Sequence, residues 1–140
     1  MADVIYNSFK KKIMDGSIDL DTDTIKVALV TSTYTPDQDV HDFFDDITNE
    51  VSGTGYTAGG ATLANKAATA DNTDNEGVFD ADDVTWSTST ITARGAVIYK
   101  STGTASTSPI IAYIDFGSDK TSSGGNFTIA WNAEGILNLN

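Results

Sequence analysis

The sequence contains no cysteine, one histidine, one arginine and two prolines. Without thiols, disulfide scaffolds, thiolate zinc sites and cysteine nucleophiles are excluded. A second histidine and a Gly-x-Ser-x-Gly nucleophile motif are also missing, which leaves only carboxylates for acid–base or nucleophilic chemistry. A glycosidase with paired carboxylates is the enzyme class left open, but a chain of 140 residues shows no evident cleft for one. We therefore expect a protein that is not an enzyme and that has no catalytic residues, metal or cofactor.

Positive charge is scarce, because eight Lys and Arg residues face twenty Asp and Glu residues, a formal net charge of -12. A nucleic-acid-binding surface needs clustered basic side chains, so we expect no nucleic-acid partner. No run approaches the roughly 18 apolar residues of a membrane-spanning helix, and the first residues carry their charges after the apolar ones, the reverse of a secretory signal. We expect a soluble protein without a membrane partner or an export peptide.

The length of 140 residues, with 39% hydrophobic content, suits one globular core. We predict a single domain over residues 1–140, in which residues 1–16 hold an N-terminal helix and residues 17–140 form a β-rich body.

An apolar stripe at four-residue spacing, formed by Ile5, Phe9 and Ile13, predicts this helix from Asp3 to Gly16. Asp3 is expected to cap the free N–H groups at the start of the helix. Gly16 is expected to adopt the left-handed conformation that ends it.

The only concentrated positive charge lies on the predicted helix, at Lys10, Lys11 and Lys12. Residues 1–16 carry a net charge of +1, and residues 17–140 carry -13. We predict that these lysines belong to an interface with another protein.

A second, short helix is predicted at Val40–Ile47, where Phe43 and Phe44 complete an i, i+3, i+4, i+7 apolar pattern behind Pro36.

Alternation of apolar and polar residues predicts strands through most of the remaining chain. The predicted strands are Ile25–Leu29, Thr57–Leu63, Val84–Trp86, Ile91–Lys100, Ile110–Phe116, Phe127–Asn132 and Ile136–Leu139. The segment Gly95–Tyr99 reads as a central strand that is buried on both faces. Segments rich in Gly, Ser, Thr, Asn and Asp are predicted as loops: Val51–Gly60, Ala70–Gly77, Ser101–Ser108 and Ser118–Gly125.

These elements predict a mainly β (α+β) fold, an antiparallel β-sandwich or partly closed barrel with an N-terminal helix and one short additional helix.

Two acidic segments invite comparison with calcium loops. Asp19, Asp21 and Asp23 alternate as in an EF-hand, but Thr24 and Val30 stand where that motif needs Gly and Glu. We favour a polar entry to a strand. A second acidic group matches no ligand spacing and reads as a solvated loop; it comprises Asp71, Asp74, Glu76, Asp80, Asp82 and Asp83.

Three further features have structural interpretations that we prefer to catalytic ones. His41 and Asp45 are expected to form an exposed pair on the second helix. The glycines of 53–60 are followed by no lysine, so we expect a flexible loop or a bulged edge strand in which Tyr56 is a contact residue. Arg94, within an apolar strand, is expected to pair with a carboxylate in the fold or across an interface.

Four segments resemble a family of small structural proteins of tailed bacteriophages and prophages. They are IDLDTDTIKVALVTSTYTPDQDVHDFF (18–44), EVSGTGYTAGGATL (50–63), FDADDVTWSTSTITARGAVIYK (79–100) and SPIIAYIDFGSDKTSSGGNFTIAWNAEGIL (108–137). The resemblance covers nearly the whole chain and is most specific at TITARGAVIYK and IAYIDFGSDK.

The resemblance implies a non-enzymatic virion protein, and a capsid decoration (cement) protein is the preferred role. Its expected partners are the major capsid protein and further copies of itself, as a trimer, on the capsid surface after assembly in the cytoplasm of the host bacterium. A tail-associated structural protein of the tube, baseplate or fibre adaptor is the alternative. A carbohydrate-binding module that stacks sugars on Tyr56, Tyr99 or Tyr113 is a further alternative.

Overall fold

The computed structural model describes residues 2–140, which form two antiparallel β-sheets and one α-helix. This confirms the predicted β-rich α+β fold class. The elements in chain order are β1 (Val4–Ile5), α1 (Asn7–Met14), β2 (Ile25–Val30), β3 (Ala61–Thr62), β4 (Ala67–Asp71), β5 (Glu76–Asp80), β6 (Val84–Lys100), β7 (Ile110–Ile129) and β8 (Leu137–Leu139).

The larger sheet has the strand order β1-β7-β6-β2-β3. The predicted central strand is confirmed, because β6 pairs with β2 on one side and with β7 on the other. Gly95 is required at this position: a Cβ atom there would lie 2.6 Å from the carbonyl oxygen of Ile114 and 2.6 Å from the ring of Tyr113. The glycine therefore allows β7 to approach β6 closely.

The smaller sheet has the order β4-β5-β8. Its β4–β5 hairpin was not predicted, and the expected loop Ala70–Gly77 is wrong at both ends, since only residues 72–75 form the turn. The residues of β4 are small and mostly exposed, so this strand lacks the apolar alternation that marks a half-buried strand. Backbone pairing with β5 makes it a strand regardless.

Helix α1 begins four residues later than predicted, because Val4–Ile5 instead pairs with β7 as strand β1. Asp3 is not the cap: its carboxylate accepts a hydrogen bond from the N–H of Asp115 at 2.7 Å. Tyr6 occupies the N-cap position, and its side chain makes no capping hydrogen bond to the helix. The stop at Gly16 agrees with the prediction, since its φ is +79°.

The predicted helix Val40–Ile47 is wrong, because only a single 3₁₀ turn forms, at Phe44–Asp46. The apolar residues of this segment do not share one helical face. Phe44 stacks on Tyr99 with ring centroids 4.1 Å apart, whereas Val40 is exposed.

Strands β6 and β7 are longer than predicted, and each joins segments that the sequence pattern separates. The expected loop Ser118–Gly125 is wrong, since it continues β7 opposite the first half of β6. Predicted strand Thr57–Leu63 shrinks to the two residues of β3. The register shifts near Ser89 and Gly95 are bulges, which explain the broken alternation.

One hydrophobic cluster joins the helix and both sheets, with Phe9 of α1, Ile98 of β6, and Phe79 and Leu137 of the smaller sheet among its members. A second cluster on the other face of the larger sheet contains Tyr6, Tyr34 and Tyr113. The segment between β2 and β3 covers that second face.

Candidate functional site

An apolar groove lies between α1 and the smaller sheet, with a volume of about 580 Å³. We call it the α1 groove. Pairing within the smaller sheet places Gly77 opposite both Ala70 and Leu139, and these three residues line the floor of the groove on its sheet side. The large apolar side chains that line the groove are Ile5, Phe9, Ile13, Met14, Leu20, Val78, Phe79, Leu137 and Leu139.

The groove holds most of the exposed large apolar side chains of the molecule. Among residues 2–140, only Met14, Val40 and Leu139 are large hydrophobic residues in the exposed class, at 86%, 70% and 69%. Met14 and Leu139 both line the α1 groove. Apolar surface concentrated in a concave face in this way is typical of a binding surface for another protein, a membrane or a small ligand.

The rim of the groove carries one charge of each sign. Lys10 lies on the helix side, where its ammonium donates a hydrogen bond to Oδ1 of Asn7 at 3.2 Å. Glu76 lies on the sheet side and accepts a hydrogen bond from Nδ2 of Asn138 at 2.6 Å. The rim therefore carries no net charge from its lining residues, with Lys10 on the helix side and Glu76 on the sheet side.

The three predicted interface lysines point in different directions, because successive helical residues are separated by about 100°. Lys11 forms an ion pair with Asp15. The Lys12 ammonium lies 4.8 Å from the ring centroid of Phe43. Only Lys10 of the three lines the α1 groove.

Tyr56 fixes its loop to the larger sheet. Its hydroxyl donates to Oε2 of Glu50 at 2.6 Å and accepts from the N–H of Leu29 at 3.0 Å. Burial and the Glu50 carboxylate raise the pKa of the Tyr56 hydroxyl well above its usual range. A Cβ at Gly60 would overlap the carbonyl group of Val27, so the glycines of 53–60 serve close packing of this loop against neighbouring strands. The predicted interface role of Tyr56 stays a prediction.

Arg94 has a carboxylate partner within the fold, as expected. Its Nε donates to Oδ1 of Asp115 at 2.7 Å, across β6 and β7. Asp115 holds the pKa of the Arg94 guanidinium above its usual value, and Arg94 lowers the pKa of Asp115. Both side chains are about one-third exposed, so the pair is a surface pair. A role for Arg94 at an interface stays a prediction.

The aspartates of 19–23 make contacts within the protein. Asp19 accepts from the N–H of Asp21, whose own carboxylate accepts from the N–H of Ala68 at 2.6 Å. Asp23 pairs with Lys100 at 2.9 Å. These partners tie the entry of β2 to β4 and to β6, in agreement with the structural interpretation.

One group of three carboxylates meets within the described residues 2–140: Asp74, Glu76 and Glu134. The sequence pattern offered the first two but not Glu134, which the turn before β8 brings to the hairpin. Asp74 and Glu134 are exposed, and exposed acidic groups are common in proteins without a bound ion.

His41 does not form the predicted pair with Asp45. Its Nδ1 lies 3.0 Å from the hydroxyl of Tyr34 and accepts a hydrogen bond from the N–H of Asp37 at 3.2 Å. The Tyr34 hydroxyl lies 2.8 Å from that of the buried Tyr6. His41 thus closes a chain of hydrogen bonds that holds its segment against the larger sheet.

Two of the three tyrosines considered as sugar platforms are inside the protein. Tyr99 and Tyr113 are 4% and 5% exposed, so neither presents a ring face to a ligand. Burial raises the pKa of Tyr99 to about 12.

Comparisons of the chain with known protein families, with curated proteins and with solved structures found no match. Within residues 2–140, no helix has both the length and the apolar character needed to span a bilayer.

Proposed function

We propose that the chain is a non-enzymatic structural protein of a bacteriophage virion, and specifically a capsid decoration protein. It binds the outer surface of the major capsid protein lattice and stabilises the head, after assembly in the cytoplasm of the host. The sequence resemblance supports this proposal, and the α1 groove is the structural observation that carries it.

A decoration protein acts through surfaces that are complementary to those of its partner proteins. The α1 groove concentrates exposed apolar surface beside α1, with Lys10 and Glu76 on its rim. The chain as a whole has a net charge of -12. We place α1 and its lysines against the capsid or a neighbouring subunit, and the acidic strands towards solvent, where like charge keeps particles apart.

The lysines test this orientation. We replace Lys10, Lys11 and Lys12 with glutamate. This variant is expected not to bind to phage heads that lack the protein, and binding is measured by co-sedimentation of the purified protein with those heads. The matched control reverses Lys66 and Lys120, which lie outside α1. Normal occupancy of the α1 variant on heads would refute the orientation. Binding of the unaltered protein to isolated tails instead of heads would favour the tail-associated alternative.

A further inference from the structure

Three hydrogen-bonded side chains join residues 33–41 to the second face of the larger sheet. The hydroxyl of Tyr6 lies 2.8 Å from that of Tyr34, which in turn lies 3.0 Å from Nδ1 of His41. Tyr6 and Tyr34 are buried, so both hydroxyls depend on partners within the protein. We call residues 33–41 the Tyr34 segment, because Tyr34 is the one buried residue among them.

The backbone fixes the direction of these hydrogen bonds. The N–H of Asp37 donates to Nδ1 of His41 at 3.2 Å, so Nδ1 carries a lone pair and the imidazole is neutral, with its proton on Nε2. The Tyr34 hydroxyl therefore donates to Nδ1, and the Tyr6 hydroxyl donates to the oxygen of Tyr34. Two donors, one from the backbone and one from a buried side chain, thus share a single acceptor atom.

Protonation of Nδ1 removes this acceptor. The new N–H of His41 can donate to the oxygen of Tyr34. Within residues 2–140, however, the hydroxyls of Tyr6 and Tyr34 bond only to each other and to His41, so one of their two protons is left without an acceptor. The Asp37 N–H loses its acceptor as well. A buried donor without a partner is unfavourable, and opening of the segment to water removes that cost.

The neighbouring charges allow His41 to take up a proton. The ionisable groups on the elements that pack around it are Tyr6 and Lys12 of the α1 region, Tyr113 of β7, and Tyr34, Asp37, Asp42 and Asp46 of its own stretch of chain. The N–H groups of Asp42 and Phe43 and a charged His41 lower the pKa of Asp46 against the effect of burial. A carboxylate in this position favours the imidazolium. His41 is half-buried, so solvent protons reach the ring.

The Tyr34 segment can move without disruption of the sheet. Backbone hydrogen bonds at Thr31 and Asp42, just outside its two ends, hold the chain on either side of it. Between those points, the side chains of Gln38 and Asp39 bond to β1 and α1 at the exposed surface, where water can replace them. The buried attachment of the segment is therefore Tyr34, whose hydroxyl bonds to His41.

We propose that protonation of His41 releases the Tyr34 segment from the larger sheet, which makes this segment a pH-sensitive switch. The open state exposes the buried tyrosine cluster of Tyr6, Tyr34 and Tyr113 to solvent. The proposal goes beyond the proposed function and does not rest on it.

Hydrogen exchange of the full chain, followed by mass spectrometry, measures the release. We compare about pH 7.5 with about pH 5.5, on either side of the ordinary pKa of a histidine. Protection of the Tyr34 segment, corrected for the intrinsic effect of pH on exchange, is expected to fall about 10- to 100-fold at the lower pH, because one proton shifts an equilibrium by at most about tenfold per pH unit. The central strand β6 is the internal reference and should keep its protection.

Two variants assign the response to one side chain. His41→Asn places an amide oxygen near the position of Nδ1, where it accepts hydrogen bonds but takes up no proton, so the segment should stay closed at both pH values. Asp42→Asn is the matched control, because burial and the Asp46 carboxylate raise the pKa of Asp42. This control should keep the full response.

Nitrogen-15 NMR of the imidazole in the unaltered protein tests the same proposal without a variant, and Nδ1 is expected to carry no proton at about pH 7.5. Four results would overturn the proposal: equal protection of the segment at both pH values, the same loss of protection in His41→Asn, loss of the response in Asp42→Asn, or a proton on Nδ1 in the folded protein at about pH 7.5.

Discussion

The hydroxyl of Tyr6 lies 2.8 Å from the hydroxyl of Tyr34, where both side chains are buried beneath the segment that contains His41. Burial raises the pKa of Tyr34 to about 12 and the pKa of Tyr6 further still. The pKa values of Tyr56, Tyr99 and Tyr113 are raised as well, also mainly by burial. The fold therefore raises the pKa of all five tyrosines of the chain.

This predicts a specific alkaline transition. A tyrosine whose pKa is higher in the folded than in the unfolded protein stabilises the fold at low pH. This contribution is fully present below the unfolded pKa near 10, and it is lost as the pH rises towards the folded pKa. We expect less tyrosinate absorbance at 295 nm near pH 10 than five free tyrosines would give, and then at higher pH a cooperative rise that coincides with loss of the circular dichroism signal. Titration of several tyrosines near pH 10 in the folded protein would contradict this account.

The close packing around Gly95 predicts that a side chain at this position destabilises the centre of the larger sheet. Gly95→Ala places a methyl group 2.6 Å from the Ile114 carbonyl oxygen and from the Tyr113 ring, so we expect a loss of about 3 kcal/mol of unfolding free energy. Gly125→Ala is the matched control, because Gly125 also lies in the β6–β7 pairing and a Cβ added there would meet no atom within 4 Å. It should change stability by less than about 1 kcal/mol in urea unfolding. Equal effects of the two substitutions would argue against the close approach of β7 to β6.

The contacts of Asp23 predict that the stability of the protein decreases as the pH falls into the acid range. Burial opposes its ionisation, but the N–H of Asp19 and the Lys100 ammonium outweigh burial and lower the pKa of Asp23. Its contribution is therefore present above the unfolded pKa and is lost as the pH falls through the lower folded value. Asp23→Asn should cost about 1–2 kcal/mol at pH 7 and less as the pH approaches 3. The exposed Asp119→Asn is the control, and a cost for Asp23→Asn that does not change with pH would exclude the ion pair as its source.

The sequence was sufficient to predict the elements whose pattern of apolar residues reflects the burial of their side chains in the core. Strand β2 and the central strand at Gly95–Tyr99 were confirmed because their apolar residues contact the core directly. The hairpin β4–β5 was missed because backbone pairing, and not side-chain burial, makes Ala67–Asp71 a strand. The helix at Val40–Ile47 was wrong because an i, i+4 pattern also arises when successive apolar residues contact different neighbours.

The candidate site was predictable only on its helix side. Lys10 was found from the clustering of charge, and Phe9 and Ile13 from their helical spacing. The floor of the groove depends on Gly77 and Leu139, which are 62 residues apart and become neighbours only through the β5–β8 pairing. No short-range sequence signal specifies that pairing.

The location of the protein in the virion tests the central claim most directly. Cryo-electron microscopy of purified phage particles, with a map at a resolution that shows strands, should place the β-rich domain in many copies on the outer face of the head, with α1 turned towards the lattice or a neighbouring subunit. Density for this fold confined to the tail, or particles that lack the protein altogether, would contradict the account.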